Sequence, residues 1–161
     1  MKKVLRILAI ILIIVIGVVI ADVIYYKTAK IEPEDLYLTK ENSTEQTKAN
    51  RGTYQWTERG IIRNISAIAD SMGPTSFDYP KVIETKIGDK IYFNDCEWTK
   101  VSASILLQKD RTELAKVPIE SNLEENYIVI PELVEGEYIV QINLESDKGE
   151  VWYSAKIKIA E

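Results

Sequence analysis

Two rhythms of apolar residues divide the chain. From Ile7 to Ala21 no charge interrupts the run "ILAIILIIVIGVVIA", and after Asp22 it continues through Val23, Ile24, Tyr25 and Tyr26. The 20 positions from Ile7 to Tyr26, wound as a helix at about 1.5 Å per residue, match a hydrocarbon core of roughly 30 Å. Residues 1–26 are therefore expected to form a transmembrane signal-anchor. Lys2, Lys3 and Arg6 precede the run, so the positive-inside bias puts the N-terminus in the cytoplasm and everything after residue 26 outside it; Tyr25 and Tyr26 suit an interfacial aromatic belt. A second reading stays open: Val19 and Ala21 suit a signal peptidase, and cleavage near Ala21 gives a secreted protein. The absence of cysteine here excludes a lipoprotein anchor.

From Gly52 onward the period is two. In "GEYIVQINLES" Tyr138, Val140, Ile142 and Leu144 alternate with Glu137, Ile139, Gln141 and Asn143; past Ser146–Gly149, Val151, Tyr153, Ala155, Ile157 and Ile159 alternate with Trp152, Ser154, Lys156 and Lys158. Two alternating runs around a Gly-containing turn predict a β-hairpin. "KVIETK" and "KIYFND" about Gly88 and Asp89, "KVSASILLQK", "NYIVIP" and a hairpin starting at Tyr54 bring the expectation to about eight short strands. No segment after residue 26 keeps a long helical period, so residues 52–161 are predicted to close as a mainly β, two-sheet antiparallel sandwich. Between anchor and sandwich, residues 27–51 are polar apart from Ile31 and Leu36–Tyr37–Leu38. Their Thr/Glu/Asn/Lys bias predicts a tether, spanning about 25–30 Å as a coil; the Leu36–Leu38 triplet is open to an edge strand or to a helical turn begun at Pro33.

The pattern Gly136-x-Tyr138-x-Val140 resembles the penultimate strand of immunoglobulin-like domains, in which the tyrosine ties down a corner. Val140 stands where that family carries a cysteine, so the disulfide is absent. The resemblance implies an immunoglobulin-like sandwich. Separately, "GTYQW" followed by "ADSMGP" is similar to a group of small exported proteins of Gram-positive bacteria with a Gly-Thr-Tyr-x-Trp start and an Ala-Asp-x-x-Gly-Pro loop; it implies an exported domain and carries no activity.

Composition narrows the chemistry. The 161 residues include no histidine and one cysteine, Cys96, which removes the usual general base and the centre of Ser and Cys triads. A lone cysteine makes neither an internal disulfide nor a zinc cage; Cys96 reads as a small apolar residue, or as a thiol that joins two copies if exposed. Three of the 20 basic groups and none of the 25 acidic ones precede Asp22, leaving 17 against 25, a net charge of −8. Such a surface suits solubility and disfavours nucleic acid.

Asp70, Ser71 and Met72 form the loop most like a catalytic one, yet Ser71 has no histidine to take its proton and no Ser-x-x-Lys spacing. Asp70 suits a turn that Gly73–Pro74 redirects. Tyr54 and Trp56, at i and i+2, share one strand face, which is either core or an exposed aromatic platform. Trp152 and Ile139 fall out of phase with their inward neighbours and are candidates for an outward apolar patch. The carboxylates of "EPED", "LEEN" and Glu132, Glu135 and Glu137 lack the spacing of a calcium loop, so no metal and no cofactor is expected. The sequons at Asn42 and Asn64 matter only in a eukaryotic secretory host.

These readings converge on a non-catalytic binding or interaction module on the outer face of a cell membrane. It is anchored through residues 7–26, and its partner is a membrane protein or a cell-wall component. A tethered hydrolase acting on wall or peptide substrates through two carboxylates is the alternative, and an inert spacer is the third.

Overall fold

An unbroken apolar run has only one way to satisfy its own backbone without partners, and Lys2–Thr28 forms a single helix, α1. At 27 residues it is about 40 Å long, long and apolar enough to cross a membrane as an anchor or as a signal sequence. Asp22 is its one buried residue. The computed structural model describes residues 2–29, 31–71, 73–94, 97–110 and 113–160, without the side chains of 108–110 and 113–114. Met72 and Cys96 lie outside the described residues.

The alternating segments form two sheets. The smaller has the order β2 (Gln46–Lys48), β1 (Tyr37–Lys40), β6 (Lys90–Phe93), β10 (Tyr127–Val129) and β9 (Ser121–Asn122), all antiparallel. The larger runs β4 (Asn64–Ala69), β3 (Asn50–Arg59), β12 (Gly149–Ile159), β11 (Gly136–Ser146), β7 (Lys100–Asp110) and β8 (Glu113–Ile119), again antiparallel. A further strand, β5 (Val82–Thr85), pairs in parallel with the end of β12 from Lys156 to Ile159. The 136–159 hairpin is as its alternation predicts, with Gly136 opposite Ile159 and Ser146 opposite Gly149.

The inward set of the large sheet, including Val140, Ile142, Leu144, Val151, Tyr153, Ile157 and Ile105, packs with Leu38, Ile91, Phe93 and Ile128 of the small one in a single core. Trp56 and Trp98 meet edge to face within it, 6.0 Å between centroids. At the start of β11, Tyr138 Oη donates to the Val134 carbonyl at 2.8 Å, so the tyrosine does tie down the turn before its strand.

The tether expected over residues 27–51 is corrected by the structure. Leu36 and Leu38 are fully buried, Thr47 and Ala49 nearly so, and β1, β2 and the first residues of β3 fall inside that range. What composition hides is that a polar edge strand needs only alternate residues inward; β2 buries Thr47 and exposes Gln46 and Lys48. The preceding segment is clamped as well: Arg51 bonds Glu32 at 2.7 Å and Asp35 at 2.8 Å, Lys48 pairs with Asp35, and Tyr153 Oη donates to the Glu34 carbonyl.

Candidate functional site

Gly52 and Thr53 together face Trp152. Val151 pairs with Tyr54 and Tyr153 with Arg51, so β3 carries one extra residue there. Such a bulge bends its strand and re-aims the side chains around it. Gly52 is the residue it needs: a Cβ there would stand 3.1 Å from the Trp152 carbonyl oxygen and 3.4 Å from Ser71 Oγ. The "GTY" of the sequence is thus the local cause of the Trp152 surroundings.

Trp152, Ser154 and Lys156 of β12 share the outer face of the large sheet with Ile139, Gln141 and Asn143 of β11, in cross-strand pairs Ile139–Lys156, Gln141–Ser154 and Asn143–Trp152. Ser71 and the segment from Gly73 to Tyr79, with its short 3₁₀ turn Pro74–Ser76, lie over this face. Tyr79 Oη donates to the Pro74 carbonyl at 2.6 Å and lies 3.0 Å from Ser154 Oγ. Burial raises the Tyr79 pKa above the usual phenol value, with Ser154 opposing the shift, so the phenol keeps its proton. Asn50 Nδ2 holds the Asp78 carbonyl at 2.9 Å, and Phe77 sets its ring edge-on to Tyr79 at 6.4 Å.

Phe77 borders two depressions. One, of about 240 Å³, is lined by Gly52, Thr53, Ser71, Gln141, Trp152 and Lys116 among others. The other, of about 660 Å³, takes in Tyr79, Leu106, Ile139 and Lys156. The Lys116 ammonium stands 4.9 Å from the Trp152 ring centroid, a cation–π distance. Under this face two acceptors, Gln141 Oε1 and Asn143 Oδ1, are buried, and no group among the described residues donates to either. Asn143 is only 8% exposed and sits directly opposite Trp152 in the ladder. Leaving a buried acceptor unmatched costs about 1–3 kcal/mol.

The residues singled out from the sequence separate accordingly. Trp152 and Ser71 line the smaller depression and Ile139 the larger. Trp152 and Ile139 share a face, but Trp152 stands opposite Asn143, four residues from Ile139 and about 13 Å along the strand, so they do not make one continuous patch. Trp56 is buried against Trp98, with its Nε1 donating to Glu58 Oε1 at 3.2 Å, and half-buried Tyr54 packs on the same core. An aromatic platform at Tyr54 and Trp56 is excluded, because the bulge leaves both on the inward phase. Asp70 is exposed; the Ser71 amide donates to Thr53 Oγ1 at 3.4 Å, and no hydrogen bond joins Ser71 to Lys116 among the described residues. No cluster able to hold a metal occurs among the described residues. No acidic residue lines the smaller depression, and in the larger Glu137 is paired with Lys156 at 2.6 Å.

Gln141, Asn143, Lys116 and the Phe77–Tyr79 cover are not legible as site residues in the sequence. Gln141 and Asn143 occupy ordinary outward positions, and the loop reaches them through a contact between Tyr79 and Ser154, 75 positions apart. Comparison with known proteins finds no family model, no curated protein and no solved structure that matches this chain.

Proposed function

We propose that this chain is a membrane-anchored, extracytoplasmic binding module of immunoglobulin-like build, whose ligand lies along the outer face of the large sheet. The observation that carries the reading is the Trp152 ring, which lines the smaller depression with the Lys116 ammonium 4.9 Å from its centroid. The indole offers a ligand apolar area, the Thr53 and Ser71 hydroxyls that line the same depression suit one rich in N–H or O–H groups, and Lys116 attracts an anionic substituent. Wall glycans and their peptide stems have that chemistry, as does an extended segment of a neighbouring membrane protein. The Tyr138–Val134 corner supports the immunoglobulin-like assignment. The length of α1 and its apolar surface support the anchor. For the carboxylate-hydrolase alternative, the described carboxylates that gather at a depression lie elsewhere, Glu145, Asp147 and Glu150 at the β11–β12 turn and Glu45 and Glu84 beside β2, and of these Glu145 is paired with Lys100 at 2.6 Å and Glu45 with Lys81 at 2.9 Å.

The test is a photoreactive benzoylphenylalanine in place of Phe77 in the full-length protein, irradiated in its native membrane. A covalent adduct is expected, and it is expected to vanish in Trp152→Ala and to weaken several-fold in Lys116→Glu. The second variant changes an exposed side chain and leaves the fold as stable as before, which circular dichroism and the melting temperature check. No adduct, or one that survives both substitutions, overturns the reading.

A further inference from the structure

Asp22 poses a problem that its surroundings solve. It lies inside the 20-position span from Ile7 to Tyr26, one turn and about 6 Å short of Tyr26, and an ionised carboxylate within a spanning helix needs a partner. Its partner is the tip of the β3–β4 hairpin. The Ile62 amide donates to Asp22 Oδ1 at 3.0 Å, Arg63 Nε stands 3.4 Å from Asp22 Oδ2, and the Arg63 guanidinium covers the Tyr26 ring at 4.6 Å. These contacts bury Asp22 to 5% exposure on a helix whose other residues are not buried.

The tip is built for the contact. The Gly60 amide donates to the Arg63 carbonyl at 3.0 Å, and a Cβ on Gly60 would meet that oxygen at 2.2 Å, so the turn closes only with glycine. The turn leaves Ile61 54% and Ile62 57% exposed, between Arg59 and Arg63. Two adjacent isoleucines at a loop apex, both open, flanked by arginines and held at the depth of Asp22, match a lipid interface: apolar side chains enter the acyl boundary while guanidinium groups reach phosphates.

We propose that the Gly60–Arg63 tip is a second membrane contact, with Ile61 and Ile62 inserted at the headgroup–acyl boundary of the bilayer that α1 crosses. This rests on the anchor reading above. The tip then holds the sandwich at a set height and neutralises Asp22, so that the apolar span extends to Tyr26.

The test uses full-length protein with Cys96→Ser and Ile62→Cys, labelled with an environment-sensitive fluorophore in vesicles of phosphatidylethanolamine and phosphatidylglycerol. Val134→Cys is the reference. It lies just before β11, at the end of the large sheet remote from the hairpin, since Gly136 pairs with Ile159 while Trp56 pairs with Gly149. The Ile62 probe is expected to emit to the blue of the Val134 probe and to be quenched several-fold more by a lipid with a nitroxide high on its acyl chain. Equal quenching of the two probes, with the protein still resisting alkaline extraction, overturns the tip contact alone. Release of the protein by alkaline extraction overturns the anchor and the tip together.

Discussion

Glycines mark the places where backbone, not side chain, decides the shape. Gly149 opens β12 at φ +147°, and a Cβ there would stand 1.9 Å from the Gln55 carbonyl oxygen. Gly149→Ala is therefore expected to destabilise the fold by at least about 1–3 kcal/mol, read as a drop in urea midpoint. Gly73, with nothing near its Cβ position and φ −56°, is the control; Gly73→Ala is expected to stay within about 0.5 kcal/mol of the parent. Gly52 falls between these, since its tight neighbours are the Trp152 carbonyl oxygen and the movable Ser71 hydroxyl. Its substitution bears on the ligand face before it bears on the fold.

Among the elements, the segment ahead of β1 is the one whose hold is electrostatic. The Lys48 ammonium, and after it the Arg51 guanidinium, lower the Asp35 pKa below its ordinary value, against a smaller opposing effect of burial. A carboxylate with a depressed folded pKa contributes stability that is complete above its unfolded value of about 3.9 and is lost as pH falls through the folded value. Acid titration is expected to loosen residues 31–36 from about pH 4 downward, and Asp35→Asn to abolish that pH dependence while lowering stability at neutral pH. Amide exchange of Leu36 and Leu38 across the titration measures both. The same segment explains why β1 and β2 were hard to foresee. The β11–β12 hairpin announces itself through unbroken alternation, whereas β1 shows only Leu38, with Leu36 just before it, and β2 only Thr47, and the segment ahead of them is held by Arg51, which reaches back to Glu32 and Asp35.

For the molecule as a whole, α1 and the two-sheet β architecture were legible, because each follows from a periodicity read along the chain. The docking of one on the other was not. An Ala21–Asp22 junction looks like a cleavage site in sequence; in the folded full-length chain Asp22 is buried under the hairpin tip, so the contact marks α1 as part of the fold wherever it is retained. The intact mass of the mature protein from native membranes is expected to include the whole of α1; a chain beginning at Asp22 would make it secreted and remove the membrane from its function. The outer face of the large sheet was half legible: Trp152 shows itself by its phase, while the residues around it show only once Gly73 to Tyr79 is in place.

The β11–β12 ladder, eleven pairs long, has a mechanical meaning. Its strands run between the end of the sheet that meets α1 and the end that carries Val134, so a load applied between those two ends pulls along them. Loaded that way the hydrogen bonds share the force and must slip together, whereas a crosswise pull would peel them singly. The strand order gives the domain the build that resists tension along the axis of its longest hairpin.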